Sequence, residues 1–164
     1  MFENVLRGDF EGWHGLPEGT DLDSILAALR PLDSVAPPVE RVRGVRRFLV
    51  VDVTRTLAPR NVEIWCDIDG RTVLAVDIDH PGIDPAQLAM QLGPPELTLP
   101  DRRFASGGLA IEHVYASRGV TASVVEPFDP GAPRRVDFLQ LYAAMSTAGY
   151  LTEVGVAEHA RPHP

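Results

Sequence analysis

Lysine does not occur in this 164-residue chain: its 15 basic residues are all arginine, set against 23 acidic residues for a formal charge of −8. High-GC coding bias accounts for an all-arginine set without a functional cause, and the missing lysine excludes a phosphate loop of the G-x-x-x-x-G-K type. The acidic balance opposes a phosphate-backbone binder, whose footprint is a clustered basic surface, so nucleic acid is excluded as a partner class. Cysteine is equally scarce. Cys66 stands alone, which rules out an internal disulfide and a paired-cysteine zinc site and favours a reducing compartment. The opening MFENVLRGDFEGW has no basic leader followed by an apolar run. No window approaches the roughly 18 apolar residues of a spanning helix. The expectation is a cytoplasmic chain with no membrane partner and no export signal.

What is present suits one domain. The length falls within the roughly 100–200 residues that one core commonly serves, and 45% of the residues are hydrophobic. Residues 1–19 place Phe2, Phe10, Trp13 and Leu16 among Gly, Pro and acids without a helical or strand period, which predicts an irregular aromatic arm. In GTDLDSILAALRPLD, Leu22, Ile25, Leu26 and Leu29 share a helical face, Thr20 or Asp21 can cap, and Pro31 stops the helix. DSVAPPVE reads as a proline-broken connector, followed by a strand at about 45–55. NVEIWCDIDGRTVLAVDID predicts a hairpin closed by a tight primed turn at Asp69-Gly70.

The same order then recurs. DPAQLAMQLGPP predicts a helix capped by Asp84, opened by Pro85 and ended at Gly93-Pro94, with Leu88 and Leu92 on one face. PELTLP is extended and runs into a loop at Ser106-Gly107-Gly108. LAIEHVYASRGVTASVVEP makes a second hairpin around Ser117–Gly119, and RRVDFLQLYAAM a last strand. Asp21, Ile25, Leu29 and Pro31 match Asp84, Leu88, Leu92 and Pro94 at an offset of 63, while Val62, Glu63, Gly70, Thr72 and Val76 match Ile111, Glu112, Gly119, Thr121 and Val125 at an offset of 49. Two unequal repeats, 20–82 and 83–145, would produce this, with a flexible tail at 155–164. The competing explanation is that caps, cores and turns dictate the same residue types in any α+β domain. The expected fold is α+β, a continuous antiparallel sheet with both helices packed on one face.

With LDSILAALRP and PAQLAMQLGPPE each followed by a hairpin, at DIDG and at SRGV, the stretch from about 20 to 142 resembles the β-lactamase-inhibitor-protein-like architecture. Small outer-membrane assembly lipoproteins share that architecture. The inhibitor proteins are secreted and disulfide-bonded and the lipoproteins carry a lipobox cysteine, features this chain lacks, so neither family's partner carries over. The resemblance implies protein recognition by an exposed sheet face without chemistry.

The residues themselves offer little chemistry. None of His14, His80, His113, His159 and His163 has zinc-hydrolase spacing, and His159 with His163 sits in a polar tail. No metal or cofactor is expected. Asp67, Asp69, Asp77 and Asp79 invite a calcium site, but their spread along a hairpin favours solvent-facing acids alternating with Val76 and Ile78. Cys66 reads as structural, and Ser106 lacks the strand-turn-helix setting of a nucleophile elbow.

Recognition residues are easier to nominate. Arg41, Arg43, Arg46 and Arg47 form the densest basic group, echoed by Arg102-Arg103 and Arg134-Arg135, and can meet an acidic partner or simply protect strand ends. Trp13, Trp65, Tyr115 and Tyr142 are the candidate anchors or core residues. Alternation sets Glu63, Trp65, Asp67, Glu112 and Val114 on one face and Val62, Ile64 and Cys66 on the other. The leading reading is a non-catalytic protein-binding domain using the helix-free sheet face, with Trp65, Glu63, Asp67, Arg46, Arg47, Tyr115 and His113 as its contact residues. A second reading is a small enzyme or carrier with a pocket between helix and sheet built on His113, Tyr115 and Glu112, although only His113 shares a face with Tyr115. A homodimer through an exposed edge strand is the third.

Overall fold

In the computed structural model, the described residues are 1–56, 61–101 and 107–155. Both sequence-predicted helices form where their caps put them. Helix α1 (Phe2–Val5) opens the chain. Helix α2 (Leu22–Ala28) begins at Asp21, whose carboxylate accepts from the Ser24 N–H at 2.8 Å. That bond satisfies one of the orphan donors of the first turn and holds the Asp21 carboxyl below its ordinary pKa. Helix α3 (Pro85–Leu92) starts at Asp84, which accepts from the Ala86 N–H at 2.8 Å, and stops at Gly93.

Among the described residues nine strands form one antiparallel sheet: β1 (Ser34–Val35), β2 (Val39–Arg43), β3 (Arg46–Thr54), β4 (Asn61–Cys66), β5 (Val73–Asp79), β6 (Leu97–Pro100), β7 (Gly108–Tyr115), β8 (Val120–Pro127) and β9 (Arg135–Tyr142). The order is β1-β3-β4-β5-β9-β8-β7-β6, and β2 also pairs with β3. The α+β class with an antiparallel sheet is thus as expected.

Several local features differ from the sequence reading. The connector at DSVAPPVE is not free: its two ends become β1 and β2, both laid along β3. The turn after β4 is wider than a two-residue primed turn. The Asp67 N–H donates to the Thr72 carbonyl at 2.9 Å, and the Asp67 carboxylate accepts from the N–H groups of Arg71 and Thr72. An aspartate bonding forward to backbone donors competes well with the tight Asp-Gly turn. The 49-residue offset also aligns strands in different sheet positions, since Val62 lies in β4, inside the first meander, and Ile111 in β7, beside the edge strand β6. A final helix, α4 (Thr147–Tyr150), continues into a π-helical turn (Leu151–Gly155). The tail expected at 155–164 lies, apart from Gly155, outside the described residues, as do Ser106 and Arg102-Arg103.

One face of the sheet carries the main core. Val51, Ile64, Val76, Ile78, Leu139, Leu141 and Ala122 cluster with Ile25 of α2 and its C-cap Leu29, Leu88 of α3, and Phe10, Trp13 and Leu16 of the arm. The arm is therefore core and not appendage. It is fixed by polar ties as well: the Gln87 and Gln91 amides donate to the Gly8 carbonyl at 3.2 and 3.0 Å, and the Arg118 guanidinium donates to the Phe10 and Trp13 carbonyls.

The arm meets the end of β9 at a close approach that admits no side chain. Leu16 N–H donates to the Tyr142 carbonyl at 2.9 Å while Tyr142 N–H donates to the Gly119 carbonyl at 3.0 Å. A Cβ on Gly119 (φ 60°) would lie 2.1 Å from the Tyr142 oxygen, and one on Gly15 (φ 90°) 2.5 Å from the Ala144 nitrogen. Both positions combine left-handed backbone with backbone contact. Gly15→Ala and Gly119→Ala should each lose about 2 kcal/mol or more. Gly44→Ala, where an added Cβ meets nothing within 4 Å, should lose only about 1 kcal/mol. Urea midpoints of the three variants check the ranking.

Candidate functional site

The second face of the sheet is where the sequence-nominated residues gather, and it is not bare. Arg43 and Arg46 pair across the end of the β2–β3 hairpin, Arg41 faces Phe48, and Val50 faces Trp65 of β4. Period-two alternation carries Arg41, Arg43, Arg46, Phe48, Val50 and Trp65 to this one side. Phe48, Val50 and Trp65 form a compact cluster, with the Phe48 and Trp65 rings edge to face at 5.7 Å and 76°. The Arg43 guanidinium lies 3.6 Å over the Trp65 ring, and that of Arg46 5.3 Å over Phe48. A flat, weakly hydrated cation on a ring face is attracted by the ring quadrupole and shields it from water. Trp65 is 3% exposed as a result.

A row of acids crosses the same face. Asp52, Glu63 and Asp77 are direct neighbours on β3, β4 and β5, an arrangement that repels unless compensated. Compensation comes from β2. Arg41 reaches Glu63 at 2.9 Å and Asp52 at 3.7 Å, and Arg43 approaches Asp77 at 3.8 Å. Asp77 is 4% exposed and accepts from the Gln140 amide at 2.8 Å. It is therefore a buried, paired carboxylate and not the solvent-facing acid that alternation suggests, because the arginines of β2 roof the acid row. Asp67, by contrast, spends its carboxylate on the loop after β4, and its pKa is lowered first by the Arg71 N–H.

The expectation of a helix-free face fails at its other end. Tyr150 of α4 packs on Tyr142 with ring centroids 5.6 Å apart, and Met145, Leu151 and Val154 join the same cluster. Glu153 forms an ion pair with Arg46. The sequence carries a signal for this helix: Ser146 caps it by accepting from the Gly149 N–H at 3.0 Å, and Tyr150, Leu151 and Val154 then form an apolar stripe. Between the β2–β3 hairpin and this C-terminal segment lies a cleft of about 210 Å³ whose lining includes Phe48, Trp65, Tyr142, Val154, Arg43 and Arg46. The Trp65 Nε1 atom is buried and has no hydrogen-bond partner.

No protein-family model matches the sequence, and no curated protein matches it. Among solved structures the chain is similar to a DUF4309 family protein, YjgB of Bacillus subtilis subsp. subtilis str. 168, at 16% identity and a TM-score of 0.44. That match covers 86% of this chain and 97% of the other.

The remaining nominated residues divide. Arg46 and Arg47 are both ion-paired, Arg47 with Glu40 at 2.7 Å, so they do not form a free basic patch. Tyr115 is 1% exposed in the main core, on the opposite face from the cleft, and burial raises its pKa. Glu112, on the cleft-bearing face, is itself buried, 3.5 Å from the Tyr150 hydroxyl. His113 is half-buried beside Arg134; burial first, and that cation second, lower its pKa. His80 lies on the surface, 3.7 Å from Asp137. The His113, Tyr115 and Glu112 set thus does not converge on a pocket. Among the described residues no group of three metal-ligating side chains occurs, and no helix is long and apolar enough to cross a membrane.

Two outcomes follow from these environments. Arg43→Ala leaves Asp77 buried without the guanidinium and should cost about 3 kcal/mol, whereas Arg43→Leu combined with Asp77→Leu should recover most of that loss, because an apolar replacement of a buried pair is near neutral. Chemical denaturation of the single and double variants measures both. Burial, with the Asp67 charge second, pushes the Cys66 thiol up from 9.0 to about 11. The unfolded chain then ionises first, so this group's stabilisation is complete below about pH 9 and is lost as pH rises towards 11. A thiol reagent at pH 8 should label Cys66 at the rate of global unfolding in the native chain and at once in urea.

Proposed function

We propose that this chain is a non-catalytic protein-binding domain that holds a partner by one apolar side chain seated in the Phe48, Trp65, Tyr142 and Val154 cleft. The observation that carries the reading is the cleft itself: an aromatic-lined recess on a sheet face, with Arg43 and Arg46 among its lining residues. Size argues for an anchoring side chain. A void of about 150 Å³ lodges a benzene ring, so about 210 Å³ takes one aromatic or branched aliphatic group. Small-molecule sites run to roughly 300–1,000 Å³. Aromatic pockets that desolvate a single inserted group are also the usual form of an interface hot spot. Val45, 99% exposed at the tip of the β2–β3 hairpin, offers further apolar surface next to Arg46.

Two finer features belong to the same reading. The chain is a duplication in which a helix precedes a three-strand meander twice, α2 with β3-β4-β5 and α3 with β7-β8-β9, joined across the β5–β9 pair and packing α2 and α3 on one face. Topological order supports this better than the sequence offsets do. Its location is proposed to be the cytoplasm, supported by the single buried Cys66.

Ala143 lines the cleft and is exposed, so Ala143→Trp places an indole at the recess. The immobilised full chain should capture a stoichiometric protein from native lysate, and Ala143→Trp should reduce the capture at least about tenfold, the effect of losing roughly 1.4 kcal/mol of anchor contact. Equal capture by both forms would refute the site.

A further inference from the structure

The cleft on the second face is walled on one side by the β2–β3 hairpin and on the other by the C-terminal segment. One ion pair spans it from wall to wall, Arg46 of the hairpin with Glu153 of the π-helical turn. We infer that this pair is a latch: the segment beyond Tyr150 is a strap beside the cleft, closed while Arg46 holds Glu153 and swung aside when that contact breaks, so that ionic strength regulates entry to the cleft. The inference rests on the reading of the cleft as the seat of a partner's anchoring side chain.

The hairpin is the fixed side. Arg43 lies over the Trp65 ring and approaches Asp77, which pins the hairpin's end to the sheet. The segment is firm as far as Tyr150, a buried residue whose ring packs on Tyr142 and whose N–H donates to the Ser146 carbonyl at 2.9 Å. Past it the grip weakens: Leu151 and Val154 are half-buried, while Thr152 and Glu153 are exposed. The turn is π-helical, a form that recurs at functional sites. The Thr152 hydroxyl donates to the Ala148 carbonyl four residues back at 3.0 Å, a bond that slightly destabilises a helix. The latch itself is weak. Its side chains are 49% and 55% exposed, and a pair so placed shifts an equilibrium by about fivefold at most and is screened by salt. Arg46 also has a second resting place, since its guanidinium already lies 5.3 Å over the Phe48 ring. A half-buried strap held by an exposed pair opens locally while the sheet beneath it stays folded.

The experiment places a reporter thiol in the cleft of the full chain. Ala75 of β5 lines the cleft and is half-buried, so labelling of an Ala75→Cys chain by fluorescein maleimide measures access, and Cys66, buried in the main core, reports global unfolding in the same sample. Adding Glu153→Gln should speed labelling at position 75 by about two- to fivefold with Cys66 unaffected. Salt at about 1 M should do the same where Glu153 is present and add nothing where it is replaced. Equal rates with and without Glu153→Gln, a salt response that persists in that variant, or equal acceleration at Cys66 overturns the inference. If Ala75→Cys fails to fold, amide exchange of Thr152, Glu153 and Val154 in the Glu153→Gln chain decides instead: faster exchange there with Tyr150 unchanged supports the latch, and unchanged exchange overturns it. No partner enters these measurements, so a failed latch leaves the capture experiment on Ala143→Trp standing, and a failed capture leaves the latch measurable.

Discussion

Asp77 sits in the middle of a sheet face with almost no access to water, and burying a carboxylate is costly unless a cation and hydrogen-bond donors compensate it. Arg43 and Gln140 meet that need. To reach Asp77, Arg43 has to cross the Trp65 ring, which pulls the end of the β2–β3 hairpin down onto the sheet. The consequence is spatial: with the hairpin held there, its Phe48 and Arg46 become one wall of the cleft, and the C-terminal segment closes the opposite wall through Tyr150 on Tyr142 and Glu153 with Arg46. The candidate site exists because a charge is buried beside it.

Where local chemistry settles conformation, the sequence was readable. Asp21 and Asp84 announce their helices because a capping carboxylate and an apolar stripe act within one turn. The hairpin β7–β8 was equally plain, since its strands are β-rich and its connection needs Gly119. Contacts set by distant residues were hidden. Nothing near Ser34 or Val39 indicates that these short, proline-flanked pieces find β3, and the central β5–β9 pairing joins segments from the two halves of the chain. The offset of 49 between hairpins followed residue types that every turn favours, and the topology assigns those hairpins to unlike positions.

The site was half legible for the same reason. Alternation correctly separates Glu63 and Trp65 from Val62, Ile64 and Cys66, because a strand's two faces are fixed by geometry alone. It does not reveal what lies above a face. The exposure that alternation suggests for Asp77 and Trp65 therefore fails, because the arginines of β2 cover both. Tyr115 is no anchor: its parity matches the core-facing set, and it packs in the main core. Phe48, Gln140 and Val154 carry no local signal as wall residues, since each joins the cleft only once the hairpin and the C-terminal helix are in place.

Hydrogen exchange, resolved by residue, on the Asp77→Asn variant tests most directly whether this buried charge organises the second face. The account predicts that amides of β2 and the paired part of β3 lose protection by about two orders of magnitude, of the order expected for losing roughly 3 kcal/mol locally, while β7, β8 and β9 exchange as in the parent. Protection unchanged in β2, or lost evenly across the whole sheet, would contradict it.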